Sequence, residues 1–153
     1  MIAAVASDLG IGKDGKLLFH IKEDMAWFRS HTLHNVVVMG RKTLESFPGG
    51  RPLPERTHIV LSHKKHENTE NVIWVTSVEE ALAKMEKLPG EVYVTGQVYR
   101  EFLPLASKLY LTEVAEKCDA DAYFPDFLSD GNWEKMEENK CDGFSFVTYE
   151  RNR

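Results

Sequence analysis

Residues 36–61, VVVMGRKTLESFPGGRPLPERTHIVL, contain two β-strand patterns joined by a short helix and a loop. The first strand, Val36–Met39, is apolar at every position, which is typical of a strand covered on both faces of a parallel sheet. It ends at Gly40, and Arg41–Ser46 then predicts a short helix. The second strand is His58–Leu61. This order of strand, helix and strand predicts a parallel β-sheet.

The same alternation extends over the rest of the chain. Further strand patterns lie at Ile2–Ser7, Val72–Val75, Val92–Thr95, Leu109–Val114, Trp133–Glu138 and Phe144–Glu150. Helix patterns lie at Glu23–His31, at Ser77–Met85 with a capping box at its start, and at Gln97–Leu103. Asp142 and Gly143, between the last two strands, predict a hairpin turn. We therefore predict an α/β fold in a single domain, residues 1–153, with a mostly parallel sheet and an antiparallel C-terminal edge.

The composition excludes several classes of protein. The chain has 153 residues, of which 42% are hydrophobic and 28% are charged, as in ordinary globular domains. Its net charge is −5 and it has no long basic run, so binding to nucleic acid is not expected. We expect neither a membrane-spanning helix nor a signal peptide. The two distant cysteines, Cys118 and Cys141, favour a reduced cytoplasmic protein, and the histidine spacing favours no metal site.

A G-x-G-x-x-G pattern, from Gly10 to Gly15, follows the first strand. In dinucleotide-binding folds a helix opens at the third glycine, and an acidic residue ends the next strand. Here no helix cap follows Gly15, and VVVMG stands in place of the acidic residue. We therefore interpret residues 10–15 as a flexible loop that lies beside a strand end and is able to cover a ligand.

Two junctions of strand, glycine and helix are better candidates for a phosphate site. They are GRKT at residues 40–43 and GQ at residues 96–97. Glycine lets the backbone approach a ligand, and the free N–H groups of a first helical turn bind anions. Ordinary βα turns with solvated side chains are the alternative. The basic run HKKH at residues 63–66 is likewise either a solvated loop or a second phosphate site.

Asp24 lies at the start of the first helix, which we expect to bury Met25 and Phe28. Helical spacing places Asp24, Phe28 and His31 on one face. Such a carboxylate is either a partner of the helix dipole or a functional acid in a pocket, and position alone leaves both open.

Taken together, these stretches resemble dihydrofolate reductase over essentially the whole chain. The resemblance is carried by IAAVASDLGIGKDGKL at 2–17, EDMAWFRSHTL at 23–33, VVVMGRKTLESFPGGRPLPERTHIVLS at 36–62, VYREFLPLASKLYLTEV at 98–114 and DAYFPDF at 121–127. It implies a mainly parallel eight-stranded central sheet with flanking helices. It also implies NADPH-dependent reduction of 7,8-dihydrofolate to tetrahydrofolate, with hydride transfer to C6 and protonation at N5.

The resemblance also assigns roles to residues. Asp24 is the expected active-site carboxylate, which binds the pterin amino group and N3, and Thr112 is expected to bond to it. Arg56 is expected to hold the α-carboxylate of the glutamate tail, and Tyr99 to lie near the nicotinamide. Leu17 and Phe19 complete the expected catalytic residues. The other expected substrate contacts are Ile2, Ala4, Met25, Phe28, Arg29 and Phe47. The expected cofactor contacts are Ala4, Ile11, Gly12, Gly40, Arg41, Lys42, Thr43, Ser62, His63, Lys64, Gly96, Gln97, Val98 and Tyr99.

The chain departs from the family pattern at three places. Phe19 replaces the usual tryptophan, so the indole N–H that would hold an ordered water near the substrate is absent. The usual Gly-Gly pair after the strand at Val92 is reduced to Gly96 in a turn two residues shorter, which predicts weaker NADPH binding. The extra residues Pro48 and Gly49 lengthen a loop near the folate tail.

Two other functions stay open from the sequence. One is reduction of another pterin-like or pyrimidine substrate, and the other is non-catalytic binding of folate or a nucleotide. Arg56, with Asp24 and Thr112, favours folate because a tail carboxylate needs that arginine. We also expect a monomer in the cytoplasm that is inhibited by antifolates such as methotrexate or trimethoprim.

Overall fold

The computed structural model describes residues 1–14, 16–19, 21–64, 66–69, 71–96, 98–117, 119–129 and 131–152, with only the backbone at 16, 17 and 48. The strands are β1 (Ile2–Val5), β2 (Gly10–Lys13), β3 (Lys16–Leu17), β4 (Val36–Gly40), β5 (Thr57–Leu61), β6 (Val72–Val75), β7 (Val92–Val94), β8 (Lys108–Val114), β9 (Ala122–Tyr123), β10 (Trp133–Lys140) and β11 (Phe144–Arg151). The helices are α1 (Lys22–Thr32), α2 (Arg41–Glu45), α3 (Val78–Glu86) and α4 (Tyr99–Phe102), with 3-10 turns at Pro48–Gly50 and Leu103–Leu105.

The eight predicted strands are all present, but they divide into two four-stranded sheets. One has the order β6-β5-β4-β7 with parallel pairing throughout. The other has the order β1-β8-β11-β10, in which β1 and β8 are parallel and the β10–β11 hairpin is antiparallel. The predicted α/β class and C-terminal hairpin are confirmed, whereas a single eight-stranded sheet is not. A side chain links the two sheets instead, since the Tyr99 hydroxyl just after β7 donates to the carbonyl of Ile2 in β1 at 2.8 Å.

Strand β4 is buried on both faces, which explains why Val36–Met39 is apolar at every position. Val36 and Val38 belong to a large core cluster that includes residues of β1, β8 and β11. Val37 and Met39 belong to a second cluster on the other face, with Leu44 of α2. Because both faces of β4 are covered, alternation with polar residues would place polar groups in one of these cores.

The glycine-rich segment at residues 10–15 differs from its prediction. Gly10–Lys13 is not a loop but strand β2, which pairs with β3 and with β9 in a three-stranded antiparallel sheet. The partner segment also supplies side chains: Asp121 Oδ2 accepts from Asp14 N at 3.1 Å, and Asp119 Oδ2 lies 3.5 Å from Lys13 Nζ. These partners lie about a hundred positions away in the chain, so the local sequence carries no signal for this pairing.

The predicted N-cap of α3 at Ser77 is confirmed, and the carboxylate of the predicted capping box bonds one residue before the cap. Ser77 accepts a hydrogen bond from Glu80 N at 3.1 Å, and the Glu80 carboxylate accepts from Thr76 N at 2.8 Å. Among the described ranges, no helix has the length and apolar character needed to cross a membrane.

Candidate active site

Asp24 meets Thr112 at the start of α1. The helix begins after Ile21 without a side-chain cap and carries Glu23 and Asp24 in its first turn. The Thr112 hydroxyl, fully buried on β8, donates to Asp24 Oδ1 at 2.5 Å. Burial raises the pKa of the Asp24 carboxyl above its usual value, although the hydrogen bond from Thr112 acts in the opposite direction. Asp24 is therefore both a first-turn acid and a partly desolvated acid held by a neighbouring strand.

Tyr99 lies close to this carboxylate. Its ring is buried, its hydroxyl donates to Ile2 O, and the Thr95 hydroxyl lies 3.1 Å away. Since a tyrosine hydroxyl has one hydrogen, Thr95 must donate to Tyr99. Burial raises the pKa of Tyr99 to about 12, and the charge of Asp24 contributes to the shift. Tyr99 and Ile11 also line a cavity of about 270 Å³.

The two glycine junctions lie side by side. Strands β4 and β7 are parallel neighbours, with Val38 opposite Val94, so Gly40 and Gly96 follow at the same edge. Gly96 has φ +82°, and a Cβ placed there would lie 2.2 Å from Thr43 Oγ1. Only glycine can bring these two turns so close together. The carboxyl edge of parallel strands is also where open α/β sheets bind ligands.

The other expected cofactor residues are placed around the same edge. Ser62 follows the neighbouring strand β5, and its hydroxyl accepts from Lys64 N at 3.2 Å and lies 3.2 Å from His66 Nε2. Arg41 Nε lies 3.9 Å from Glu45 Oε1, so its charge is partly compensated within α2. Lys42, His63 and Lys64 are exposed, Val98 is buried, and Ala4 and Gly12 are half-buried. The expected contact Gln97 lies outside the described residues.

Arg56 lies at the end of the PLPER loop, just before β5. It is buried, and its Nε donates to Pro54 O at 3.1 Å. Burial, together with the nearby positive charge of Arg29 on α1, lowers the pKa of Arg56. Two cations at close range and little solvent make this position suitable for an anionic group.

His58 supports this loop, a role that the sequence interpretation missed. Its ring is fully buried on β5, and Nε2 accepts a hydrogen bond from Leu53 N at 3.1 Å. Nδ1 therefore carries the hydrogen and donates to Asn71 O at 3.1 Å. Burial lowers the pKa of His58, which keeps the ring neutral. The only sequence signal was a polar residue in an otherwise apolar strand.

The side chains expected to make apolar contacts with the substrate differ in how far they are exposed to solvent. Ile2 is buried, and Phe28 and Phe47 are half-buried. The prediction that α1 buries Met25 is wrong, because 62% of Met25 is exposed. The helix packs through Trp27 and His31 instead, which contact Tyr110 of β8. Phe19 is half-buried, and the side chain of Leu17 lies outside the described part of the chain.

The sequence has close counterparts among known proteins. The family model described as dihydrofolate reductase matches residues 1–151. This chain belongs to the dihydrofolate reductase family. The dihydrofolate reductase of Haemophilus influenzae is 41% identical over 138 residues, covering 90% of this chain and 82% of that protein. Dihydrofolate reductase HdrB of Haloferax volcanii is 41% identical over 160 residues, covering 99% and 82%.

A solved structure agrees with the sequence relatives. It is the dihydrofolate reductase of Enterococcus faecalis complexed with NADP(H) and RAB-propyl, which is 36% identical to this chain. It superposes with a TM-score of 0.88, covering 99% of this chain and 95% of that one. The predicted family, oxidoreductase activity and NADPH dependence are therefore confirmed: the chain is a dihydrofolate reductase that reduces 7,8-dihydrofolate.

Proposed function

We propose that Asp24 is the group that binds the pterin and assists protonation of N5 in this reduction. The observation that carries the proposal is the bond from buried Thr112 to Asp24 at the start of α1. An ionised carboxylate paired with the amino–amidine edge of a pterin forms two charge-assisted hydrogen bonds. Burial, which raises the pKa of Asp24, brings its proton affinity closer to neutral pH, as proton transfer to substrate requires.

Arg56 is proposed to bind the α-carboxylate of the substrate's glutamate tail. Its buried position, its Nε bond to Pro54 O and the neighbouring Arg29 support this assignment. The bond from Arg56 Nε to Pro54 O fixes one edge of the guanidinium and leaves the other edge to form a two-pronged pair with a carboxylate. Phe28 and Phe47, both half-buried, are proposed to contact the ring system between the two polar ends of the substrate.

The cofactor is proposed to lie along the edge formed by Gly40–Thr43, Ser62–Lys64 and Gly96. The close approach of Gly96 to Thr43 supports this placement of the cofactor. Because Gly96 has no side chain, a ligand can contact the backbone of the turn directly. When bound, NADPH supplies the hydride. The chain's residues orient the substrate, hold the proton at Asp24 and limit access of water at the buried Tyr99.

The remaining assignments are proposed at the level of the whole protein. We infer a single domain that acts as a cytoplasmic monomer. Inhibition by antifolates such as methotrexate or trimethoprim is inferred from the same carboxylate, because a diaminopyrimidine presents the donor pattern that Asp24 is proposed to bind.

The function is tested by following NADPH absorbance with the purified protein, with and without dihydrofolate. Asp24→Asn is expected to lower kcat at neutral pH by about 10²–10⁴-fold, because it removes a group that assists protonation. Part of the activity should return at low pH, where solvent protonates the substrate.

Glu23→Gln is the matched control, since Glu23 is an exposed acid in the same helical turn. It should change kcat by less than about twofold. Wild-type turnover by Asp24→Asn across about pH 5–9 would overturn the role of Asp24. Consumption of NADPH with other pterins but not with dihydrofolate would overturn the substrate assignment.

A further inference from the structure

Five aromatic side chains form a cluster next to the helical turn that carries Asp24. They are Trp27 and His31 of α1, Tyr93 of β7, Tyr110 of β8 and Phe146 of β11, and we call them the aromatic cluster. The His31 ring centroid lies 4.5 Å from that of Tyr110, 4.9 Å from that of Trp27 and 5.9 Å from that of Tyr93. His31 therefore contacts one ring from each of the two four-stranded sheets.

The aromatic cluster is adjacent to the bond between Asp24 and Thr112. Trp27 follows Asp24 by one helical turn, and Tyr110 precedes Thr112 by two residues on the same face of β8. Phe146, which stacks on Trp27 at 4.6 Å, lies opposite Thr112 in the register of β8 and β11. Any movement of α1 across this face would therefore change the distance between Asp24 and Thr112.

Few other contacts hold α1 in place. The helix has no side-chain cap at Ile21, and of its eleven residues, all described, only Thr32 is buried. Thr32 donates to Phe28 O within the same helix, so its hydroxyl does not tie α1 to a sheet. The rings of Trp27 and His31 thus supply much of the packing that fixes the helix.

We propose that His31 is a positioning residue for the reaction, whose uncharged ring holds α1 across the two sheets and so keeps Asp24 within hydrogen-bond reach of Thr112. This inference rests on the role proposed for Asp24.

The surroundings of His31 favour its uncharged form. It faces Trp27 on its own helix, Tyr110 on β8 and Tyr93 on β7, whose hydroxyl donates to Glu91 at 3.0 Å. Burial lowers the pKa of His31, although the charge of Glu91 acts in the opposite direction. Protonation would place a cation between these rings, with loss of its hydration.

His31→Ala removes the ring, and His31→Phe keeps a ring that cannot titrate. At neutral pH we expect His31→Ala to lower kcat by about tenfold or more, because small displacements of a catalytic group are costly. The Kd for NADPH, measured by quenching of tryptophan fluorescence, should change by less than about twofold, and His31→Phe should retain kcat within about twofold. Trp133→Leu, at the end of the β10–β11 hairpin away from its turn, is the control for lost stability. It should keep its kcat even where its Tm falls as much as that of His31→Ala.

The pH profile separates positioning from general stability. As the pH falls below about 6.5, the usual pKa of a histidine, kcat/KM of the wild type should fall relative to that of His31→Phe, because burial lowers the pKa of His31 and places its gain of charge in that acid range. A constant ratio, an active His31→Ala, or an equal loss in Trp133→Leu would overturn the proposal. Asp24→Asn is measured in parallel: if it is fully active, the role of Asp24 fails, whereas an impaired Asp24→Asn beside an active His31→Ala refutes this inference alone.

Discussion

Arg56 combines burial with positive charge, and this combination gives a specific prediction. Arg56→Ala should weaken dihydrofolate binding by about tenfold or more, because it removes a charge-assisted pair with the tail carboxylate. NADPH binding should be nearly unchanged. Arg51→Ala is the matched control, since Arg51 is an exposed arginine of the same loop. Equal affinity of the wild type for dihydrofolate and for an analogue without the glutamate would contradict this assignment.

Asp24 carries a stability cost that follows from the direction of its pKa shift. Its pKa is raised in the folded chain, so the folded state binds the proton more tightly than the unfolded state does. The cost is therefore fully present above the folded pKa and disappears as the pH falls below the unfolded value of about 3.9. Asp24→Asn should raise the Tm at about pH 7–8, with a gain that shrinks as the pH falls through the raised pKa of Asp24 towards about 4.

Differential scanning calorimetry of Asp24→Asn and Glu23→Gln over that range checks this prediction. Glu23 is exposed, so its substitution should show no such gain. A lower Tm for Asp24→Asn at neutral pH would mean that the bond from Thr112 outweighs the desolvation of the carboxylate.

At the scale of elements, substitution of Gly96 has two separate costs. One comes from its positive φ, and the other from the close contact between its turn and the turn that contains Thr43. Gly96 and Gly143 have almost the same φ, +82° and +85°, but of the two only Gly96 has a neighbour within 4 Å of the position a Cβ would take. Gly143→Ala should therefore cost about 1 kcal/mol for the backbone alone. Gly96→Ala should cost about 1–3 kcal/mol more because Thr43 must move, and it should also weaken NADPH binding. Urea unfolding and fluorescence titration measure the two effects.

The sequence predicted the elements with strong local patterns and missed those made by distant contacts. All eight strands of the two larger sheets were predicted because their apolar or alternating residues reflect burial on the sheet faces. The strand Gly10–Lys13 was missed because glycines read as a loop, and its partner β9 is distant. The resemblance predicted the bond between Thr112 and Asp24, which the structure shows, whereas the contacts of His58 and His31 are made with residues distant in the chain and could not be predicted from the local sequence.

At the scale of the whole molecule, Tyr99 joins the two larger sheets. Met1 O accepts from Tyr110 N, so the next carbonyl of the strand, that of Ile2, points away from β8 and relies on the Tyr99 hydroxyl. Tyr99→Phe should cost about 1–3 kcal/mol, because a buried carbonyl loses its partner. Tyr149→Phe is the comparison, because it removes a hydrogen bond to the Glu113 carboxylate within one sheet, and it should cost about 1 kcal/mol. Equal losses of stability in Tyr99→Phe and Tyr149→Phe, measured by thermal unfolding, would show that the bond between the sheets contributes no extra stability.

The parallel pairing of β1 with β8 has a consequence for synthesis of the chain. Ile2 lies opposite Tyr110, so β1 leaves the ribosome long before its partner exists. At about 5–20 residues per second, the apolar first strand waits roughly 5–20 s with its backbone unpaired. The β10–β11 hairpin, whose halves are adjacent, can close within about 10 μs of emerging. The sheet β1-β8-β11-β10 is therefore completed only after β8 and the hairpin have emerged, and β1 is the strand that a nascent-chain chaperone would have to hold for that interval.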